Sequence, residues 1–152
     1  MSLLTDELIA IHGITPGWLF GVEFDVRWSE LDAFRHVNHR THLGWFEEVR
    51  NAMFQDLGYP PFTLDGAGPV IKELTVQYEK SIGIATRVMT TGRFVWLKNT
   101  SFRMEFAVWH QGLAASSHAV CVWLRNATGE KVIVPDALRE RITGLYGAQD
   151  LR

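Results

Sequence analysis

The chain has 152 residues, with 15 Lys and Arg against 17 Asp and Glu, for a formal charge of −2. That length predicts one domain over 1–152 with its core at about 20–138 and short helical ends, burying about two-thirds of the unfolded surface. An apolar fraction of 47% and a charged fraction of 21% exclude a disordered chain, and the near-neutral balance gives no field for nucleic acid or an anionic membrane.

The single cysteine, Cys121, excludes an intrachain disulfide and a Cys-based zinc site, and fits a reducing compartment. No run reaches the roughly 20 apolar residues that span a bilayer. The N-terminal stretch carries Asp6 and Glu7 and lacks a basic start, so it does not read as a signal peptide. A soluble cytoplasmic protein is expected.

In chain order, Leu3 to Ile11 predicts a short amphipathic helix ended by Gly13 and Pro16. From Val22 the pattern changes. Val22, Phe24, Val26 and Trp28 alternate with Glu23, Asp25 and Arg27, the period of a half-buried strand. Leu43, Phe46, Val49, Met53 and Leu57 then recur at helical spacing, which predicts a helix from about Arg40 to Leu57. Asn38 is the expected N-cap, Gly58 the C′ residue, and Pro60 and Pro61 stop the helix. Strands follow: Val70 to Tyr78, Arg87 to Leu97, Phe102 to Val108, and Leu113 to Arg125, whose two apolar faces predict a central place in the sheet. Lys98-Asn99 and His110-Gln111-Gly112 read as hairpin connections, Lys131 to Val134 as a short final strand, and Asp136 to Tyr146 as a terminal helix.

One helix of roughly 27 Å has to bury its apolar stripe on the only large apolar surface available. The expected fold is therefore α+β: a curved antiparallel sheet of five or six strands around one central helix. Open sheet edges predict a homo-oligomer, a dimer or a tetramer.

The densest group of reactive side chains lies in the loop before the helix, from Trp28 to His39. Asp32 and His36 precede a helix N-terminus that offers unpaired N–H groups and about half a positive charge. This combination suits an acyl-transfer site, with the carboxylate attacking or activating water and the N–H groups holding the oxyanion. A purely local role fits the same residues, with Asp32 capping the loop backbone and His36 packing beneath it.

The stretch Val26-Arg27-Trp28-Ser29-Glu30-Leu31-Asp32-Ala33-Phe34-Arg35-His36-Val37-Asn38-His39, followed by Phe46-Glu47-Glu48-Val49-Arg50, resembles the signature of hotdog-fold acyl-CoA thioesterases of the 4-hydroxybenzoyl-CoA thioesterase-like family. The likeness continues through Thr100 to Glu105, Leu113 to Ala115 and Thr128 to Lys131, and so covers most of the chain. It implies hydrolysis of acyl-CoA to a free acid and CoA, without metal or cofactor and without a nucleic-acid or membrane partner. Asp32 becomes the catalytic carboxylate, with His36 and Asn38 completing and shaping the catalytic loop. His39 and Arg40 would supply the N–H donors and, with His42 and Glu47, contact the substrate. Glu47 is also a second candidate base, against the simpler reading of a solvated acid paired with Arg50.

The chain departs from the family pattern at three positions. Arg35 stands where a glycine is usual, removing an easy φ > 0 position and predicting a changed loop shape. His39 replaces an asparagine and His42 an aromatic residue, which bears on the acyl group accepted. Two other functions fit: a thioesterase for carrier-protein thioesters, and a non-catalytic acyl-CoA-binding hotdog protein.

His36, His39 and His42 recur every three residues, but the helix begins among them and no metal site is expected. Cys121 and His118 read as structural, and Trp96, Trp109 and Trp123 as core or dimer packing. Arg87, Arg93 and Arg103 share an outer face, where solvated arginines are expected and contact with CoA phosphates is the alternative.

Overall fold

The computed structural model describes residues 3–60, 65–84 and 86–152. Helix α1 is Asp6–His12, because the Thr5 hydroxyl accepts the Leu8 N–H at 3.2 Å and so caps the helix later than the apolar pattern implies. Leu3 instead forms an isolated bridge with Phe20. Gly13 ends α1 at φ +65, and a Cβ there would stand 2.7 Å from the Gly112 nitrogen, so only glycine fits.

Strand β1 is Phe20–Asp25. The expected extension to Trp28 is wrong. Glu30 accepts the Arg27 N–H on its side chain at 3.2 Å and returns its own N–H to the Arg27 carbonyl at 3.0 Å. These local bonds curl Trp28–Glu30 into a 3-10 turn and leave Trp28 72% exposed.

Helix α2 is His39–Asp56, one residue earlier at each end than expected. Gly58 follows at φ +85, while Pro61 lies outside the described residues. Strands β2 (Ala67–Tyr78), β3 (Arg87–Leu97), β4 (Ser101–Trp109) and β5 (Leu113–Arg125) come next, then α3 (Asp136–Tyr146) and β6 (Gln149–Asp150). The sheet has six strands in the order β1-β3-β4-β5-β2, with β6 also on β3. β1 pairs antiparallel with Arg87 to Gly92 of β3, and β6 pairs parallel with Trp96 and Leu97. The expected strand at Lys131 to Val134 reduces to one bridge between Leu124 and Lys131. The last strand is β6, whose two residues are too few for any alternation to mark. The whole is the α+β hotdog fold that the residue pattern anticipates: one long helix and one sheet. No described helix is long and apolar enough to cross a membrane.

Contacts divide the chain into two compact units. The first comprises Met1–Arg50, Val76–Gly92 and Phe106–Ser117. Within it, Phe46 of α2 stacks on Phe106 at 5.5 Å, and Trp45 on Phe24 at 5.8 Å. Ile14, Met89, Ala107 and Trp109 form a buried cluster under α1, where the Trp109 indole N–H reaches the Thr91 hydroxyl at 2.9 Å.

The second unit comprises Asn51–Thr75, Arg93–Glu105 and His118–Arg152. At its centre Phe54 lies 5.6 Å from each of the Phe94, Phe102 and Trp123 rings, with Met53, Leu57 and Cys121 buried. Arg139 of α3 is 1% exposed, and its guanidinium donates to Asp150 Oδ1 at 3.0 Å and to the Lys98 carbonyl at 2.5 Å. One buried cation thereby ties α3, the β3–β4 turn and β6 together.

Truncating a buried charged residue that holds three segments costs about 3 kcal/mol. Arg139→Ala is expected to lower unfolding free energy by that amount in urea titrations at neutral pH. A loss below about 0.5 kcal/mol would show that the clamp contributes nothing.

Candidate active site

The loop from Leu31 to Val37 is closed by an antiparallel bridge between those two residues. Within it the Asp32 N–H donates to the His36 carbonyl at 2.8 Å, and the Arg35 N–H to the Asp32 carbonyl at 3.0 Å. Asp32 Oδ1 accepts the Phe34 N–H at 2.8 Å and the His36 N–H at 3.2 Å. This is an Asx-type turn, a structure that Asp at the first turn position favours. Both bonds fall on Oδ1. Oδ2 has no hydrogen-bond partner among the described residues.

Arg35 sits at φ +63. Arg35 therefore takes the left-handed conformation that a glycine adopts without strain. The cost is about 1–2 kcal/mol of backbone strain.

The loop is fastened to its surroundings at its end. Val37 N–H donates to the Ile82 carbonyl at 2.8 Å, and Asn38 N–H to the Glu30 carbonyl at 2.8 Å. Asn38 then caps α2: its Oδ1 accepts the Arg40 N–H at 3.1 Å, and its carbonyl the Thr41 N–H at 2.9 Å. Of the two N–H groups expected as donors, Arg40's is therefore already engaged. The His39 N–H has no partner among the described residues.

A cavity of about 380 Å³ is lined by Asp32, His36, His39 and His42 together with Tyr78, Lys80 and Ile82. Four of the sequence-predicted residues thus share one wall. Asn38, Arg40 and Glu47 are not in it. Asn38 serves the helix cap, and Glu47 is a 63% exposed acid 3.7 Å from Arg50. Sequence reasoning missed Tyr78 and Lys80, which reach the cavity from the far end of β2. The Tyr78 hydroxyl donates to the His39 carbonyl at 3.1 Å, and the Lys80 ammonium is held by the His110 and Gln111 carbonyls. No local motif marks either residue; only the return of β2 past the helix tip does.

A second cavity of about 430 Å³ is lined by Trp28, Leu31, Asp32, Ala33 and Arg35. Asp32 is common to both. Arg87 pairs with Asp25 through bonds of 2.8 and 3.2 Å, and Arg93 lies 3.6 Å from Glu105, so both guanidinium groups already face carboxylates. Among the described residues no group of three or more His, Cys, Asp or Glu is placed to hold a metal.

His42 is 4% exposed, with its ring against Trp45 at 5.3 Å and Tyr78 at 5.2 Å. Burial, and next to it the charge on His39, pull its imidazole from 6.5 down to about 4, so the ring is neutral at pH 7. Burial pushes the Tyr78 phenol up, which keeps it a neutral donor.

The unfolded chain protonates His42 below about 6.5 and the folded chain only below about 4, so the unfolded state binds more protons in that window. Stability is expected to fall as pH drops from 6.5 to 4, by about 3 kcal/mol from this residue. Urea melts of His42→Phe across that range should show a correspondingly shallower loss; an unchanged slope would clear His42 of the effect. Arg35→Gly, in turn, should raise stability by about 0.5–1 kcal/mol, the relieved strain less the added freedom of the unfolded chain. Thermal melts test it, and a decrease would mean that the arginine side chain supports the loop.

The chain is similar to known thioesterases. A family model described as the thioesterase-like superfamily matches residues 26–142. A thioesterase superfamily structure from Jannaschia sp. CCS1 aligns with a TM-score of 0.86 at 29% identity, covering 97% of this chain and 95% of that one. A thioesterase from Thermus thermophilus, solved with coenzyme A and Zn, aligns at 0.77 with 32% identity over 88% and 98%. A gentisyl-coenzyme A thioesterase aligns at 0.72 with 26% identity over 80% and 98%. No curated protein matches the chain. A match over that much of the sequence places this chain in the thioesterase-like superfamily.

Proposed function

We propose that the protein hydrolyses acyl-CoA thioesters, with Asp32 as the base and the α2 tip as the oxyanion site. Asp32 Oδ2 takes a proton from water as the water oxygen bonds to the thioester carbon. The C=O π electrons move onto oxygen, where the His39 N–H stabilises the charge. When they return, the C–S bond breaks and the sulfur leaves with its electron pair. The thiolate takes the proton held on Asp32, which restores the carboxylate, and the acid is the second product. Thioester and water are consumed one for one, and no redox partner is needed.

The observation that carries this reading is the division of labour within Asp32. Oδ1 is spent on the loop while Oδ2 has no partner among the described residues, and Asp32 lines one cavity with His39, whose N–H is likewise unpartnered. The second cavity supports a CoA substrate: a carbonyl beside Asp32 would have its acyl group among His36, His42 and Tyr78, and its thiol arm along Trp28 and Arg35. Arg35 there offers a guanidinium to a phosphate, and the exposed Trp28 indole a stacking face for a base. The coenzyme A bound in the Thermus thermophilus thioesterase supports the same class. Self-association belongs to the proposal as well. Val70 and Leu74 are 47% and 38% exposed on β2, which ends the strand order, and a second copy would cover them.

Asp32→Asn is the decisive variant, because an amide oxygen can still accept the two loop N–H groups while it cannot take a proton from water. Its turnover of acyl-CoA is expected to drop at least about 100-fold with unfolding free energy unchanged. A thiol-release screen over aromatic, short, medium and long acyl-CoAs, with matched carrier-protein thioesters alongside, provides the readout. Near-wild-type release by the variant removes Asp32 from the mechanism. Faster turnover of the carrier thioesters reassigns the substrate, and tight acyl-CoA binding without release makes the protein a binder.

A further inference from the structure

His42 poses a problem that the proposed reaction does not use. Its ring is almost completely buried, and Nδ1 is sealed from solvent with no hydrogen-bond partner. Buried polar atoms without partners are uncommon and carry a desolvation cost. The usual residue at this place in the signature is an aromatic ring, which would fill the space without that cost.

Nε2 is in a different position. It makes no hydrogen bond among the described residues and is not sealed as Nδ1 is, and His42 lines a cavity with Asp32 and His39. The ring has one proton to place. On Nδ1 it would bury an unpaired donor among the Trp45, Phe46 and Tyr78 rings; on Nε2 it points into a space where an acceptor can come. The surroundings thus select the Nε2–H form. A neutral imidazole N–H is a donor that keeps its proton, as an oxyanion site requires. The burial that holds the ring neutral at pH 7 supports that assignment.

The α2 tip also has room for such a donor. Asn38 occupies the Arg40 N–H, which leaves one backbone donor, that of His39, on the cavity wall. Oxyanion sites work through more than one fixed donor aimed at the developing charge.

We propose that the His42 Nε2–H is the second oxyanion donor of this site, hydrogen-bonding the thioester carbonyl oxygen beside the His39 N–H. The proposal rests on the hydrolase reading above. The imidazole keeps its proton throughout; it stabilises the charge while the C=O electrons reside on oxygen and releases it when the C–S bond breaks.

The test uses the full-length protein with benzoyl-CoA and hexanoyl-CoA as probes. His42→Phe restores an aromatic ring and removes the donor, so kcat is expected to fall about 100-fold with KM nearly unchanged. His42→Gln, which keeps an N–H, should recover at least about tenfold of that loss. Should the phenylalanine variant not fold, His42→Met, which also lacks a donor, is read in its place. A kcat within twofold of wild type in the donorless variant overturns the proposal, and so does an equal loss in His42→Gln. A readout independent of turnover is the two-bond ¹H–¹⁵N spectrum of the imidazole at pH 7, which shows the Nε2–H tautomer if the proposal holds and the Nδ1–H tautomer if it fails. The two hypotheses separate cleanly: an inactive Asp32→Asn beside an active His42→Phe sinks only the donor, whereas a fully active Asp32→Asn sinks the parent mechanism.

Discussion

The site depends on one carboxylate oxygen. Asp32 Oδ1 gathers the Phe34 and His36 N–H groups and so fixes the chain between the 3-10 turn and α2. Without those bonds the loop would have two more backbone donors to satisfy and no reason to hold a strained residue at Arg35. With them, the second oxygen of the same side chain is left without a partner among the described residues, on a residue that lines two cavities. The turn-forming role of Asp32 and the chemical role proposed for it are therefore compatible, since each uses a different oxygen of the same side chain.

The helix contributes its end more than its length. Asn38 engages one N–H of the first turn and its own carbonyl engages another, so capping selects which donor remains. The Tyr78 hydroxyl, bonded to the His39 carbonyl, fixes the peptide on the other side of that residue. A tip held this way changes little on meeting a charge, which is what makes fixed dipoles effective.

Much of this was legible in the residue pattern, and the failures have physical causes. The α2 helix was readable because Phe46, Val49, Met53 and Leu57 are all buried on one stripe with a capping asparagine in front. Terminal helix α3 was readable from Pro135 and the periodicity after it. Trp28 misled because its alternation with Arg27 is correct for a strand while Glu30, three residues from Arg27, reclaims the backbone. β6 has two residues, too few for a pattern, and is held by its pairing with Trp96 and Leu97 and by the Arg139 contact to Asp150. At the site, Asp32, His36, His39 and His42 were within reach of a motif because they lie in one stretch of sequence. Tyr78 and Lys80 were not, since strand return over some forty residues brings them there. Which backbone N–H stays available could not be read at all, because it depends on a side-chain rotamer at Asn38.

Cys121, buried in the second unit, has a practical consequence for chemistry that liberates a thiol. Aromatic disulfide dyes that report released coenzyme meet no competing sulfur on the native chain, so the colour counts product alone. The same dye becomes a reporter of opening once the fold loosens. Its uptake by the single thiol then tracks how often the buried surroundings of Cys121 are breached, in the vessel used to follow turnover.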